Sequence, residues 1–372
     1  MIDFEEYIIQ GEPDKKEKSI IWQTAIGLQQ VDGLKPSAYL IETAKQNIEG
    51  DITIEEVKKR IDTYYKKQIN RHEDDRTEEA DKVSARIAEI LSEKTFSFSP
   101  VSYLNIHRRL FSGIYKFAGK IRDYNITKAE WVLDGETVLY ADADDLRATL
   151  EYDFEQEKKF NYKGLNTQQI IEHIAHFISY LWQIHIFGEG NTRTTAVFLI
   201  KYLRKLGFED VNNELFAQHS WYFRNALVRA NYKNLKKGVY ATYKYLERFL
   251  ENLLLGENNI LKNRELHINF VQTENDPVKQ ENLPVNDEKF LVKDKFVEKT
   301  VEKTVEKTVE KILIALKNNP KTTQADLIKA TGLSRRGVEW NIAKLKEKGI
   351  IERIGSDKGG HWKIINNEEK GE

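Results

Sequence analysis

Residues 185–196 read HIFGEGNTRTTA, and they lie between two apolar runs, 167–184 and 194–206, whose periodicity predicts helices. A helix ending near His185 and another beginning near Asn191 leave a short turn that holds an imidazole, a phenyl ring, a carboxylate between two glycines, an amide and a guanidinium. Gly188 and Gly190 open backbone angles closed to other residues, and the first N–H groups of the second helix have no intrahelical partner. Such a turn predicts an anion site. Glu189 can offer a carboxylate oxygen to Mg²⁺, which keeps most of its waters and shares phosphate oxygens with few protein groups. Arg193 suits a bidentate phosphate clamp. His185, with an ordinary pKa of about 6.5, can take a proton from an incoming hydroxyl at neutral pH. These parts suit phosphoryl or nucleotidyl transfer; on residue types alone, an ordinary polar loop in which Arg193 and Glu189 pair with each other competes with that reading.

The chain around this turn has 372 residues, which predicts two or three domains. Hydrophobic residues at 40% support real cores, while 31% charged residues and a mean hydropathy of -0.60 point to much solvated helix. No apolar stretch has the length of a membrane span, and MIDFEEYIIQ lacks the basic flank and apolar run of a signal peptide, so a cytoplasmic protein with no membrane partner is expected. With no cysteine there is no disulfide framework, thiolate nucleophile or cysteine zinc site. Lys plus Arg (58) nearly cancels Asp plus Glu (59), so any basic surface is local.

Upstream of the turn, KSIIWQTAIGLQQVD (18–32) predicts a first helix, Ser37 caps a second that ends at Gly50, and TIEE (53–56) is a capping box for a third running through Tyr65. Residues 1–70 thus read as a small helical module. RHEDDRTEEADK (71–82) reads as a solvated helix face or connector before a further helix. In ITKAEWVLDGETVLYAD, bulky residues alternate on both sides of Asp134-Gly135, which predicts a β-hairpin over 124–141. The fold expected is mainly α: a helical core over 71–260 with a β-hairpin flap, a linker over 261–310, and a C-terminal module over 311–372. Within the linker, VEKT repeats from Val297; a four-residue period drifts about 40° per repeat on a helix, so the valines form a slowly rotating stripe. That stripe fits a charged spacer or a short self-associating helix that would make a homodimer.

The last module orders a helix, a capped helix from Thr323, a turn at Gly332, a helix from Ser334 and two short strands around Asp357 to Gly360, which is a winged helix-turn-helix. Residues 311–365 hold 12 Lys or Arg against 5 Asp or Glu, an electrostatic footprint for DNA. Ser334, Arg335, Arg336, Asn341 and Lys344 fall on or near one face of its third helix and are the expected DNA contacts; Val338, Ile342 and Leu345 are its buried stripe. Winged helices also dock proteins, so a protein-binding role stands beside DNA.

HIFGEGNTR resembles the Fic family signature H-P-F-x-[DE]-G-N-x-R, with six fixed positions in register, and the helix-loop-helix context with an upstream hairpin agrees over roughly residues 90–256. The resemblance implies transfer of AMP from ATP to a Ser, Thr or Tyr hydroxyl of a target protein, this chain included, with loss of pyrophosphate. It implies His185 as base, Phe187 as anchor of the loop, Glu189 as Mg²⁺ ligand, Gly190 and Asn191 as phosphate cradle, Gly188 and Thr192 as further nucleotide-binding positions, and Arg193 as clamp on the β- and γ-phosphates. The hairpin would be the flap that pairs with the target by strand addition. Ile186 replaces the usual Pro, and Ala196 stands where a second Arg is expected. The first helical module also resembles a Fic antitoxin segment, as in toxin-antitoxin pairs, fused to its target domain. QQVDGLKPS places Asp32-Gly33 on the Glu-Gly of the inhibitory motif, with Leu28 where Ser or Thr would sit. Since the family's brake pairs with the Arg replaced by Ala196, the expectation is a weakened brake or one with a different partner; Ser84 to Glu89 is a competing brake. A regulator that senses a nucleotide without turnover, and a Fic enzyme that transfers another phosphate-containing group or removes AMP, are the alternatives to adenylyl transfer.

Overall fold

Gly27 has no room for a side chain: a Cβ there would lie 2.3 Å from the Cα of Ala217. The first helix and a helix nearly two hundred residues downstream therefore touch backbone to backbone, and Ser220 Oγ donates to the Gly27 carbonyl at 2.9 Å. In this computed structural model the described residues are 4, 12–67, 76–208, 211, 214–270, 312–323, 349–355 and 360–365, with positions 326, 327, 330, 342, 345 and 346. The chain divides into two compact units, 1–273 and 274–372.

In the first unit α1 (Pro13–Gly27) runs into a 3₁₀ turn, Leu28–Asp32, closed by Gly33. α2 (Ala38–Glu49) starts at Ser37, whose Oγ accepts from Leu40 N–H at 3.0 Å, and α3 (Ile54–Lys67) starts at the expected Thr53–Glu56 capping box. α4 (Thr77–Ser92) and α5 (Pro100–Phe111) follow, then the flap segment, α6 (Leu146–Lys159), α7 (Thr167–Ile184), α8 (Asn191–Lys205), α9 (Glu214–Ala230) and α10 (Lys244–Leu255). One hydrophobic cluster takes in Trp22 and Leu40 from the first module, Phe187 and Phe198 from the centre and Leu266 at the end. The N-terminal helices are therefore part of the same core as the domain they precede. α1 packs on α4 and α9, and α8 sits among α4, α5 and α7.

α4 is fastened to α8 at both ends. At its C-terminus Lys201 Nζ donates to the carbonyls of Ile90 (3.2 Å) and Glu93, and Arg204 to that of Leu91 (2.6 Å), placing cations on orphan carbonyls at the negative end of the helix dipole. Burial pushes the Lys201 ammonium down to about 8, with Arg204 adding to the shift.

Three expectations are corrected here. The charged run 71–82 is not wholly solvated: from Thr77 it is helical, as one of the two expected forms, but α4 buries Glu79 and Asp81, and Asp81 accepts from Ser37 N–H (2.8 Å) and Tyr65 Oη (2.7 Å). The flap turns back at Asp134-Gly135, both in the left-handed region, but its legs form no strand ladder. A 3₁₀ turn, Trp131–Leu133, fills the tip instead, and the second leg alternates with Val138 and Tyr140 inward and Leu139 outward. The linker also begins later than residue 261: a 3₁₀ turn, Asn263–Leu266, buries Leu266, Asn225 donates to Asn263 Oδ1 (2.8 Å) and Ile268 N–H donates to the Val132 carbonyl (2.9 Å).

In the second unit residues 312–318 are helical, and Ile312, Leu316, Leu327, Ile342, Leu345 and Ile351 form its core. Thr323 caps as expected, exchanging bonds with Asp326. β1 (Ile351–Ile354) pairs antiparallel with β2 (His361–Ile364), Ile351 opposite Ile364, which is the expected wing. Lys346 and Arg353 both lie over the Trp362 ring, at 5.1 and 4.9 Å. The VEKT repeats, Val338 and the expected DNA contacts Ser334, Arg335, Arg336, Asn341 and Lys344 lie outside the described residues.

Candidate active site

α7 begins at a full capping box, Asn166 with Gln169, and ends where His185 turns left-handed, at φ 48°. α8 then starts at Asn191, so the loop spans 185–190, the turn the sequence placed there. Asn191 braces it: its Oδ1 accepts from Phe187 N–H (3.0 Å) and its Nδ2 donates to the Phe187 carbonyl (2.8 Å). Gly190, at φ 78°, rests on the Phe111 ring, which a Cβ would meet at 2.4 Å. Gly188 faces the Tyr124 hydroxyl. Thr192 Oγ1 accepts from Trp182 Nε1 at 3.0 Å. Phe187 is fully buried, as an anchor should be, and Ile186, in the place of the family's Pro, is equally buried.

The floor is a residue the sequence reading passed over. His107, on α5, stacks on Phe187 with ring centroids 3.7 Å apart and planes 9° apart. Gly119 N–H donates to its Nδ1 at 2.8 Å, which leaves the proton on Nε2 to donate to the Glu189 carbonyl at 3.0 Å. Burial holds this imidazole neutral, pushing its pKa down to about 4. Its signal in the sequence is faint: one histidine on a helix eighty residues away.

His185 is the opposite case. It is 4% exposed, under the Tyr140 ring at 4.3 Å and beside Trp182 at 5.2 Å, and neither ring nitrogen has a hydrogen-bond partner among the described residues. Burial, then the positive charges of Lys128, Arg224 and Arg122, push its pKa well below the ordinary value, so the ring is a neutral base at pH 7. The ring faces Tyr140 of the flap rather than open solvent.

Arg193 does not stand open as a phosphate clamp. It is fully buried, with Nη2 bonded to Asp32 at 2.8 Å and Glu79 at 2.7 Å, Nη1 to Gln29 Oε1 at 3.0 Å, and the guanidinium 4.8 Å above the Phe111 ring. Burial opposes the charge on Arg193, but Asp32, Tyr115 and Glu79 outweigh it. Burial likewise pushes the Glu79 carboxyl up, yet Arg193, Tyr115 and Arg76 hold it below the usual range. Asp32 has thus found a partner three residues before Ala196, the position whose Arg is missing; Gly33, at φ 69°, closes the turn that presents it. Leu28 is buried in the core. The competing brake is overturned: Glu89 pairs with Lys58 and with Arg109 (3.4 Å), and Ser84 Oγ bonds the Ala25 carbonyl (3.3 Å). Glu79, from the run read as solvated, supplies the second carboxylate instead.

Glu189 is about half exposed, 49% for its side chain, and its carboxylate pairs with Lys128 of the flap at 3.1 Å. Among the described residues no group of three or more His, Cys, Asp or Glu is placed to hold a metal. A single solvent-facing carboxylate suits an ion that takes its remaining ligands from water and phosphate.

A family description, the Fic/DOC family, matches residues 97–203, and a winged helix-turn-helix DNA-binding description matches residues 306–352. The chain thus carries a Fic/DOC domain followed by a winged helix-turn-helix. Among solved structures it is similar to the N-terminal Fic domain of an effector protein from Bartonella sp. AR 15-3, at 20% identity over 47% of this chain and 81% of that one, with a TM-score of 0.33. It is also similar to a Fic family protein from Desulfovibrio desulfuricans G20, at 14% identity over 99% of this chain and 93% of that one, with a TM-score of 0.40.

Proposed function

We propose that the first unit is a protein adenylyltransferase held in a latched resting state, joined to a winged helix that binds DNA. The observation that carries it is His185: a buried imidazole with both nitrogens unpartnered, fixed at the mouth of a glycine-bounded turn, is costly to keep unless a substrate completes it. In the reaction a target hydroxyl gives its proton to an imidazole nitrogen of His185 as its oxygen attacks the α-phosphorus of ATP. One P–O bond forms, the α–β anhydride bond breaks, pyrophosphate leaves, and the imidazolium passes its proton to solvent. The N–H groups opening α8 supply donors to the phosphates. Mg²⁺, when bound, neutralises phosphate charge; Glu189 would hold it after exchanging its Lys128 partner.

The latch is the pair Asp32 and Glu79. With both carboxylates and Gln29 on Arg193, both Nη groups are occupied and only the buried Nε lacks a partner among the described residues, so a clamp on β- and γ-phosphates requires the 28–32 turn or the start of α4 to yield. The same occupation of both Nη groups, with Ala196 in place of the second Arg, favours the other reading, a DNA-bound sensor that binds nucleotide without turnover. Intact mass after exposure to ATP and Mg²⁺ separates them. A gain matching AMP on the chain or a lysate protein, absent from His185→Ala and larger in Asp32→Ala, supports transfer. Nucleotide binding with no His185-dependent gain in any variant supports the sensor, and a gain of another mass identifies a different transferred group.

A further inference from the structure

Arg122 is 5% exposed, and no carboxylate bonds it among the described residues. Its guanidinium donates to four main-chain carbonyls: Nε to His185 (2.7 Å), Nη1 to Tyr124 (2.5 Å), and Nη2 to Ala141 (2.6 Å) and Ile184 (3.3 Å). Its own N–H donates to the Ile186 carbonyl at 3.0 Å. The bonds fall into two sets. Ile184, His185 and Ile186 carry the carbonyls at the end of α7, where the helix dipole is negative and acceptors lack intrahelical partners. Tyr124 and Ala141 are the bases of the two flap legs, which form no strand ladder and are also joined by Asn125 Nδ2 to Asp142 (3.1 Å) and Lys128 N–H to Thr137 Oγ1 (3.1 Å), neither of which touches the loop.

We propose that Arg122 is the positioning residue of this site, holding His185 in its left-handed backbone setting and transmitting the position of the flap to the imidazole. A left-handed setting costs a residue with a Cβ about 1–2 kcal/mol, and such strain persists only where the surroundings over-determine it. Here the surroundings are the planar fork on the His185 carbonyl, the bond from His185 N–H to the Trp182 carbonyl at 3.0 Å, and the Tyr140 and Trp182 rings, and only the fork also reaches both flap legs. A lysine, with a point charge and no fork, cannot reach four carbonyls spread over the helix end and both legs. Displacing either leg withdraws a bond from the same group that holds the His185 carbonyl, so flap and imidazole move together. Gln183 makes the natural contrast: its Nε2 donates to the Leu139 carbonyl at 2.9 Å, tying one leg to α7 without touching the loop.

The inference rests on the transferase reading for what His185 does, but its geometry is tested without turnover. Hydrogen exchange of the full chain is compared for wild type, Arg122→Lys, Arg122→Gln and Gln183→Ala, with α9 amides as the reference for global opening. Both Arg122 variants are expected to raise exchange by about tenfold in 124–141 and in 184–190 together, with α9 unchanged; Gln183→Ala raises it in the second leg alone. Wild-type exchange at 184–190 in Arg122→Gln overturns the proposal. So does equal loosening of 184–190 in Gln183→Ala, which assigns the hold to the flap rather than to Arg122 and stays readable if an Arg122 variant fails to fold. Where wild type transfers AMP, Arg122→Lys is expected to lower kcat by about a hundredfold with KM for ATP within about threefold, since misplacing a reacting group by about 1 Å costs that much; full activity of Arg122→Lys also overturns it. The transferase reading itself fails on the wild-type mass measurement, independently of the exchange pattern.

Discussion

Two imidazoles belong to the site, His185 in the 185–190 loop and His107 packed against it, both withdrawn from water and opposite in what they bond. His107 has both nitrogens satisfied and a ring stacked on Phe187; His185 has neither satisfied and a flap over it. Burial depresses both pKa values, so protonation state does not distinguish a structural histidine from a reactive one here. What distinguishes them is the hydrogen-bond inventory: a satisfied ring holds the loop, and an unsatisfied ring waits for a proton donor.

The same substitution at each position breaks the comparison open. His185→Phe keeps the ring's bulk and removes two unpaired nitrogens, so it is expected to lower transfer by about 10²–10⁴-fold, the contribution of a general base, while unfolding free energy in urea stays within about 0.5 kcal/mol. His107→Phe strands the Gly119 N–H and the Glu189 carbonyl, and is expected to cost about 2–4 kcal/mol at pH 7. If both variants lose stability alike, the distinction drawn between the two rings is wrong.

Acid sharpens it. The His107 pKa is about 4 when folded against about 6.5 unfolded, so above pH 6.5 the ring is neutral in both states and its contribution is complete. As pH falls through 6.5 the unfolded state takes the proton first, and stability drains until about pH 4. The loss is about 3 kcal/mol, at about 1.4 kcal/mol per pH unit. His185 adds in the same direction. Glu79, whose carboxyl is held low, loses its contribution only below the ordinary carboxylate range. Asp153, which burial pushes up to about 7, gains in the opposite direction from pH 6.5 to 5, and the depressed His219 adds to the loss. It is therefore the difference between wild type and His107→Phe over that interval that isolates His107. Urea midpoints across that interval are expected to fall in wild type and to fall less in His107→Phe.

The latch gives a smaller effect. Asp32 is 24% exposed at its side chain and makes one of two carboxylate contacts to Arg193, so Asp32→Ala is expected to cost about 1–2 kcal/mol of stability and to raise AMP transfer about tenfold. Glu79→Ala costs more stability, because Arg76 and Tyr115 lose the same acceptor. An Asp32→Ala chain that transfers no faster than wild type separates the contact from any braking role.

Much of this was legible in the sequence because it is local. The loop between α7 and α8, the Ser37 and Thr53 caps and the wing follow from periodicity and capping chemistry within a few residues. What escaped is long-range. Nothing near Glu79 says that its run turns inward to Arg193, over a hundred residues on, and nothing near His107 or Arg122 says that each will bond the carbonyls of a distant loop. The flap shows the same limit: the alternation and the Asp134-Gly135 turn were legible, yet the legs make no strand ladder, and Arg122 and Gln183 tie them to the end of α7. Asp32 lies between these cases. Its role as an acid beside the motif was readable, and its partner was not, because removal of the second Arg at Ala196 leaves the choice to packing.

Thr192 provides the finest test of the line between floor and roof. Its Oγ1 accepts from Trp182 Nε1, and Trp182 stands edge-on to the His185 ring at 90°. Valine has nearly the same shape without the acceptor, so Thr192→Val leaves one buried indole N–H unpaired and is expected to cost about 1 kcal/mol. If Trp182 only fills space, the loss is confined to stability. If the bond fixes the ring that flanks the base, exchange at 184–190 also rises while the His107 side, read from amides 117–119, keeps its wild-type rate. Equal exchange on both sides would show that the loop moves as one block and that the two histidines share a single mechanical unit.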